Sequence, residues 1–267
     1  MIMLFRFLIA STFAFLPSVS LAQSITAASA GESYVRLADL VLQSPAIVRA
    51  SISRTQRISA KEAPGLRAGY ARLLITATVE AALVAPSAIP LRLSWLLDVP
   101  LEARDRVPNL RGQKVLAWID APDSSGRTRL IGAEAQLPWN ENLEARVRAI
   151  ATEARSNTVP IVTGIANGFR VAGTLPGESE SQFFLSTKAG KPLTLVVLER
   201  PGMARSVAVA SGDIIDESAT SVKPDTLLWY RLACTLPPKL PAEAGGNDPA
   251  LANAWTSAMT SLGNCER

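Results

Sequence analysis

The chain opens its ordered part with alternating apolar and polar positions. Across Tyr70–Leu83, Leu73, Ile75, Ala77, Val79, Ala81 and Leu83 share one parity, while Arg72, Thr76, Thr78 and Glu80 share the other. A period of two over this length predicts a half-buried antiparallel strand. Ala46–Ile58 alternates too, with Val48, Ala50, Ile52 and Ile58 in register. Arg54 and Gln56 fall on that same parity, which predicts a bulge or a twist there. Ile89, Leu91, Leu93, Trp95 and Leu97 form a third row. Gln113–Asp120 is an unbroken apolar run, as expected of a strand buried on both faces. Asp123-Ser-Ser-Gly126 reads as a hairpin turn into a fifth strand, Arg129–Leu137. Ahead of the strands, Ser33 can cap a helix Tyr34–Leu42 that Ser44-Pro45 ends. One helix, five short strands and a long loop at Val99–Leu110 predict a closed or nearly closed barrel over residues 34–139, since closure removes sheet edges.

The period then changes. Leu143, Val147 and Ile150 follow helical spacing in Glu141–Arg155, behind Asn140 as N-cap. Glu144 and Arg148 read as a solvated i,i+4 pair. Residues 140–157 are therefore expected to connect two domains. Beyond them, Asn167-Gly168 between Ile161–Ala166 and Phe169–Ala172 predicts a tight hairpin. Gln182–Thr187, Leu193–Arg200 and Ser206–Ala210 continue at a spacing typical of an antiparallel sandwich or meander. Asp225–Cys234, with Leu228, Leu232 and Leu236 inward, reads as a short buried helix capped by Asp225 with Arg231 exposed. Asp248, Pro249 and Gly263 bound a terminal helix, Pro249–Leu262. The fold class is mainly β with a few helices. A five-stranded OB-like barrel precedes an antiparallel β sandwich or meander with terminal helices, in residues 158–267.

The N-terminus adds an address. Arg6, the apolar run Phe7–Leu16, Pro17 and the small residues Ser20 and Ala22 have the layout of a signal peptide, residues 1–22. The run is shorter than the roughly 18–20 residues of a membrane span. Residues 23–33 read as a flexible lead-in, and no later segment reads as transmembrane. The chain is expected to be periplasmic or secreted. In that oxidising setting Cys234 and Cys265, the two cysteines, are expected to pair. The alternative is two free or intermolecular thiols. Formal net charge is +4 and falls to +3 without Arg6, too little to point to nucleic acid.

Histidine is absent, which excludes Ser-His-Asp triads, Cys-His dyads and His-ligated zinc or haem. Ser-x-x-Lys, Gly-x-Ser-x-Gly and Walker A patterns are absent too. No catalytic residue, metal ligand or cofactor is assigned. Two acidic groups come nearest to a site: Glu178 with Glu180, and Asp213, Asp216 and Glu217. Paired carboxylates can hydrolyse glycosides, yet solvated loop charges explain both groups. Trp95, Trp118 and Trp139 fit a sugar-binding face or, more simply, core.

The stretch from Ala38-Asp-Leu-Val41 to Gly112-Gln-Lys-Val-Leu-Ala-Trp118 resembles the OB-like modules of exported bacterial proteins. That resemblance implies a barrel, and a face of the kind that binds oligonucleotides or sugars. The exposed parities here carry few aromatics for base stacking, and an export signal argues further against nucleic acid. Asp225-Thr-Leu-Leu-Trp-Tyr-Arg-Leu-Ala-Cys234, together with Cys265, is similar to the C-terminal part of a family of exported bacterial proteins. That likeness implies export and brings no activity with it. The expectation is an exported, non-catalytic accessory or binding protein of the bacterial cell envelope. Its partner would be an envelope protein or a small ligand. The alternative is a carboxylate-dependent hydrolase acting on cell-wall or sugar substrates.

Overall fold

The structure is a computed structural model that describes residues 32–211 and 219–265. Residues 1–22, read as a signal peptide, the expected lead-in up to residue 31, and Asp213, Asp216 and Glu217 lie outside the described residues.

Helix α1 (Tyr34–Gln43) begins where the Ser33 hydroxyl accepts from the Arg36 amide. The first sheet follows: β1 (Ala46–Arg57), β2 (Tyr70–Val84), β3 (Arg92–Pro100), β4 (Lys114–Ile119) and β5 (Gln136–Pro138). Its order is β3-β2-β1-β4-β5, antiparallel throughout, curled into a half-barrel. The alternation fills its concave side with Val48, Ile52, Leu73, Ile75, Leu93 and Trp95. The ladder between β1 and β2 slips between Ile52 and Arg54, where the parity conflict predicts it. β4 is buried on both faces: Val115, Ala117 and Ile119 point into the barrel, while Leu116 and Trp118 join the neighbouring core.

The fifth strand is shorter than Arg129–Leu137, because residues 126–130 do a different job. Ser94 of β3 donates to the Gly126 carbonyl at 2.9 Å and accepts from the Thr128 amide at 2.9 Å. Leu130 bridges to Ile119 of β4. This segment thus ties one edge of the curled sheet to the far end of β4. The Asp123 carboxylate shapes the turn, accepting from the Ser125 amide at 2.9 Å and the Arg127 amide at 3.0 Å. The Ser125 hydroxyl, donating at 2.6 Å, and then these amides lower its pKa to about 2. Gly126 sits at φ +79°, and a Cβ there would stand 2.2 Å from the Arg92 carbonyl oxygen. Gly126→Ala is therefore expected to cost about 2–3 kcal/mol through backbone strain and overpacking. Urea unfolding would measure it; an unchanged midpoint would show that the closure contributes nothing.

Helix α2 (Glu141–Ser156) starts at Asn140, whose side chain accepts from the Leu143 amide. The second sheet comprises β6 (Val162–Ala172), β7 (Ser179–Thr187), β8 (Leu193–Glu199), β9 (Ser206–Ala210) and β10 (Thr220–Ser221), ordered β10-β9-β8-β7-β6. The meander is as expected, but Asn167-Gly168 is not a hairpin. β6 runs straight through it, with Asn167 opposite Phe184 and Gly168 opposite Phe183. Glycine is needed there for space: a Cβ would lie 2.9 Å from the Phe183 ring and 3.1 Å from the Ala244 carbonyl oxygen. The chain reverses instead at residues 173–178, where the Gly173 amide meets the Glu178 carbonyl at 2.8 Å.

Helices α3 (Leu227–Ala233) and α4 (Pro249–Leu262) complete the fold. Thr226 rather than Asp225 caps α3, its hydroxyl accepting from the Trp229 amide. The described residues form one compact unit. Its second core joins Ile47 and Trp118 of the first sheet to Phe183 and Leu195 of the second, with Leu37, Val147, Leu232 and Trp255 of the helices between them. Helix α2, which links the sheets in sequence, buries its apolar stripe in this shared core.

Two charged residues differ from expectation. Glu144 is buried, and its carboxylate accepts from Arg49, Trp139 and Arg148 at 2.6–2.9 Å. Arg231 is also buried, and its guanidinium donates to the Val159 carbonyl. Cys234 and Cys265 are bonded, with Cα atoms 5.1 Å apart across a separation of 31 residues. Closing such a loop stabilises by roughly 3–4 kcal/mol in the chain-entropy model. The bridge joins the end of α3 to the chain beyond α4, where Trp229 Nε1 also donates to the Leu262 carbonyl at 2.6 Å. No helix among the described residues is long and apolar enough to cross a membrane.

Candidate functional site

The curled sheet leaves its two edge strands facing each other across a gap. Alternation in β3 places Leu93, Trp95, Leu97 and Val99 inside the barrel. The flanking bonds, Val79 amide to Leu91 carbonyl and Leu101 amide to Gly69 carbonyl, are both 2.8 Å and fall on odd-numbered residues. In an antiparallel ladder the even-numbered residues then direct their backbone N–H and C=O groups away from β2. Ser94 spends its outward pair on Gly126 and Thr128. No described strand continues that pairing along Leu96 and Asp98. These two residues present an open strand edge.

Across from them stands β5. Trp95 Nε1 donates to Gln136 Oε1 at 2.8 Å, one clasp across the gap. Beyond that clasp lies a cleft of about 690 Å³, with Leu97–Pro100 on one wall, Gln136 and Pro138 on the other, and Val115 at its floor. The rim carries two arginines. Arg67 lies over the Tyr70 ring, 4.2 Å from its centroid. Arg36 pairs with Glu32 at 2.8 Å and with Glu134 at 3.3 Å. The Asp98 side chain is engaged with Arg72 through two bonds of 2.7 and 2.8 Å. The Arg72 hydrogen bond lowers its pKa, so it remains a carboxylate. The cleft therefore offers backbone donors and acceptors, an apolar floor and a near-balanced charged rim. Such a site suits an extended chain better than an isolated ion.

The acidic alternatives look different. Glu178, Glu180 and Glu199 line one shallow cleft, but Glu199 stands opposite Ser179 and Glu180 opposite Leu198, so these two alternate to opposite faces of the sheet. Arg200 pairs with Glu178 at 3.5 Å, and Gln182 donates to Glu180 at 2.6 Å. Glu199 pairs with Arg170 and Arg205 and accepts from Ser179. Burial alone would raise the Glu199 pKa, but the Ser179 and Arg170 bonds and the charge of Arg205 outweigh it and lower the value. A glycosidase general acid needs the opposite shift, so that it holds its proton near neutrality. The Glu199 contacts read as an anchor that ties β6 and β7 to β8 and to Arg205 just ahead of β9. The Asp213, Asp216 and Glu217 group lies outside the described residues. Among those described, no group of three or more Cys, Asp or Glu side chains has a metal-holding arrangement.

The three tryptophans share no face. Trp95 fills the barrel, Trp118 belongs to the second core, and Trp139 lies beneath Arg49 and Lys114, whose charges are 5.4 and 5.5 Å from its ring. Sequence reasoning missed the open edge at Leu96 and Asp98, because alternation marks a strand without showing whether both its sides are paired. The chain matches no protein-family model, and comparison with curated proteins gives no match.

Proposed function

We propose that this chain is an exported, non-catalytic accessory or binding protein of the bacterial cell envelope, periplasmic or secreted. The signal-peptide layout of residues 1–22 and the Cys234–Cys265 disulfide support the address. The observation that carries the binding role is the unpaired edge of β3 beside a cleft bounded by β5. A protein partner would enter as an extended segment. It would take hydrogen bonds from the backbone of Leu96 and Asp98 while placing alternate side chains over Val115.

The test is site-specific photo-crosslinking in the native envelope. A photoreactive residue at Pro100, on the cleft wall, is expected to give a discrete adduct with one envelope protein. Leu96→Pro removes an outward N–H without touching the ladder to β2. It is expected to abolish that adduct while leaving the thermal midpoint within about 1–2 °C, as an exposed edge change should. Absence of any discrete adduct, or an adduct indifferent to Leu96→Pro, would overturn the reading.

A further inference from the structure

At the opposite end of β6 and β7 from the hairpin at residues 173–178, the second sheet borders a cavity of about 780 Å³. Four described segments meet there: residues 157–161 that follow α2, the turn between β7 and β8, Ser211 after β9, and α3. Its volume lies within the roughly 300–1,000 Å³ of small-molecule sites. Val159, Pro160, Ile161, Pro192 and Leu193 supply apolar wall. Ile161 is 44% exposed and leaves apolar surface open to the cavity.

The charged members of the wall are Lys188, Lys191 and Arg231, and no described lining residue is acidic. Arg231 is only 8% exposed. One of its donors goes to the Val159 carbonyl, and a guanidinium has five N–H donors in all. Burial pulls its pKa down, while the negative charge of Glu153 acts the other way. Glu153 itself accepts from the Leu227 amide at 3.2 Å and forms no ion pair with Arg231. Neither lysine is paired with a described carboxylate. Glu153 supplies a counter-charge without a direct ion pair, and an anion brought into contact with the guanidinium adds one. Two exposed lysines at the mouth add attraction at longer range.

We propose that this cavity is a binding site for an organic anion, with its charged head at Arg231, Lys188 and Lys191 and an apolar body against Pro160, Ile161 and Pro192. The site is separate from the cleft beside β3 and stands whether or not that cleft takes a peptide. Neither the apolar wall nor the cations suffice alone, so an uncharged chain and a free inorganic anion should both bind poorly.

The test is isothermal titration calorimetry on the purified protein with four probes: decanoate, decyl phosphate, 1-decanol and inorganic phosphate. Decanoate or decyl phosphate is expected to bind saturably at one site, at least tenfold more tightly than 1-decanol or inorganic phosphate. Whichever of the two anions binds more tightly identifies the head group. Arg231 is packed in the core, so its replacement would report on folding as well. The exposed pair Lys188→Gln/Lys191→Gln is the cleaner variant, expected to weaken the anion at least tenfold at an unchanged thermal midpoint. Binding of 1-decanol as tight as decanoate, indifference to the lysine pair, or no saturable binding would each overturn the proposal.

Discussion

Trp255→Ala is expected to destabilise the protein by about 3–5 kcal/mol, the range for deleting a large buried aromatic. Trp255 is fully buried on α4. Its ring meets Phe183 of β7 edge-on, at 4.9 Å between centroids and 70° between planes. Its Nε1 donates to the Pro237 carbonyl at 3.0 Å. Truncation removes both contacts and leaves a void where the terminal helix meets the second sheet. It also strips the part-buried Pro237 carbonyl of its donor, an added cost of about 0.5–1.5 kcal/mol for one hydrogen bond. Trp255→Phe keeps most of the ring contact and loses the N–H, so it should fall between the two. Urea unfolding with a constant m-value checks both. A loss below about 1 kcal/mol for alanine would show that α4 is peripheral rather than part of the core.

Glu144→Ala should cost about 2–4 kcal/mol, because it removes a buried carboxylate shared by Arg49, Arg148 and the Trp139 N–H, and leaves that N–H without its acceptor. Glu144 collects Arg49 from β1, Trp139 from the end of β5 and Arg148 from its own helix. Arg49 also lies 3.3 Å from Glu80, which pairs in turn with Lys114 at 3.4 Å. The network fastens α2 to the back of the curled sheet. Burial alone would raise the Glu144 pKa, but the bonds from Trp139, Arg148 and Arg49 overcome it and hold the value below the ordinary one. A carboxyl shifted this way stabilises the fold above its unfolded pKa of about 4.3, and that contribution fades as pH falls through the lower, folded value. The stability gap between wild type and Glu144→Gln is therefore expected to be widest near neutrality and to narrow in acid. Denaturant melts at a series of pH values would show it. A gap that widens in acid would mean that the group is held protonated.

Glu144 also shows where reading along the chain stops. Its spacing to Arg148 is a local feature and predicts a solvated pair. Its burial comes from Arg49, 95 residues away. Arg231 follows the same logic, since its acceptor at Val159 is 72 residues distant. Asn167-Gly168 misleads in another way: it has the chemistry of a tight turn, but Phe183 and Ala244 need the room that a glycine leaves. The open edge of β3 and the cation-lined cavity are both made by segments far apart in sequence, so neither left a motif to find. Lys188 and Lys191 flank an ordinary turn, and nothing local marks them as part of a site.

What the chain determined by itself is its list of elements and their buried faces. The parity of β2, the double burial of β4, the caps at Ser33, Asn140 and Asp248, and the cysteine pair all follow from interactions within a few residues or from simple counting. Tertiary structure decided the rest: how residues 126–130 close the barrel, that both sheets share a core with four helices, and which charges are buried. The physical reason is that periodicity records that a side chain leaves water, whereas what it meets there is set by contacts whose partners are scattered along the chain.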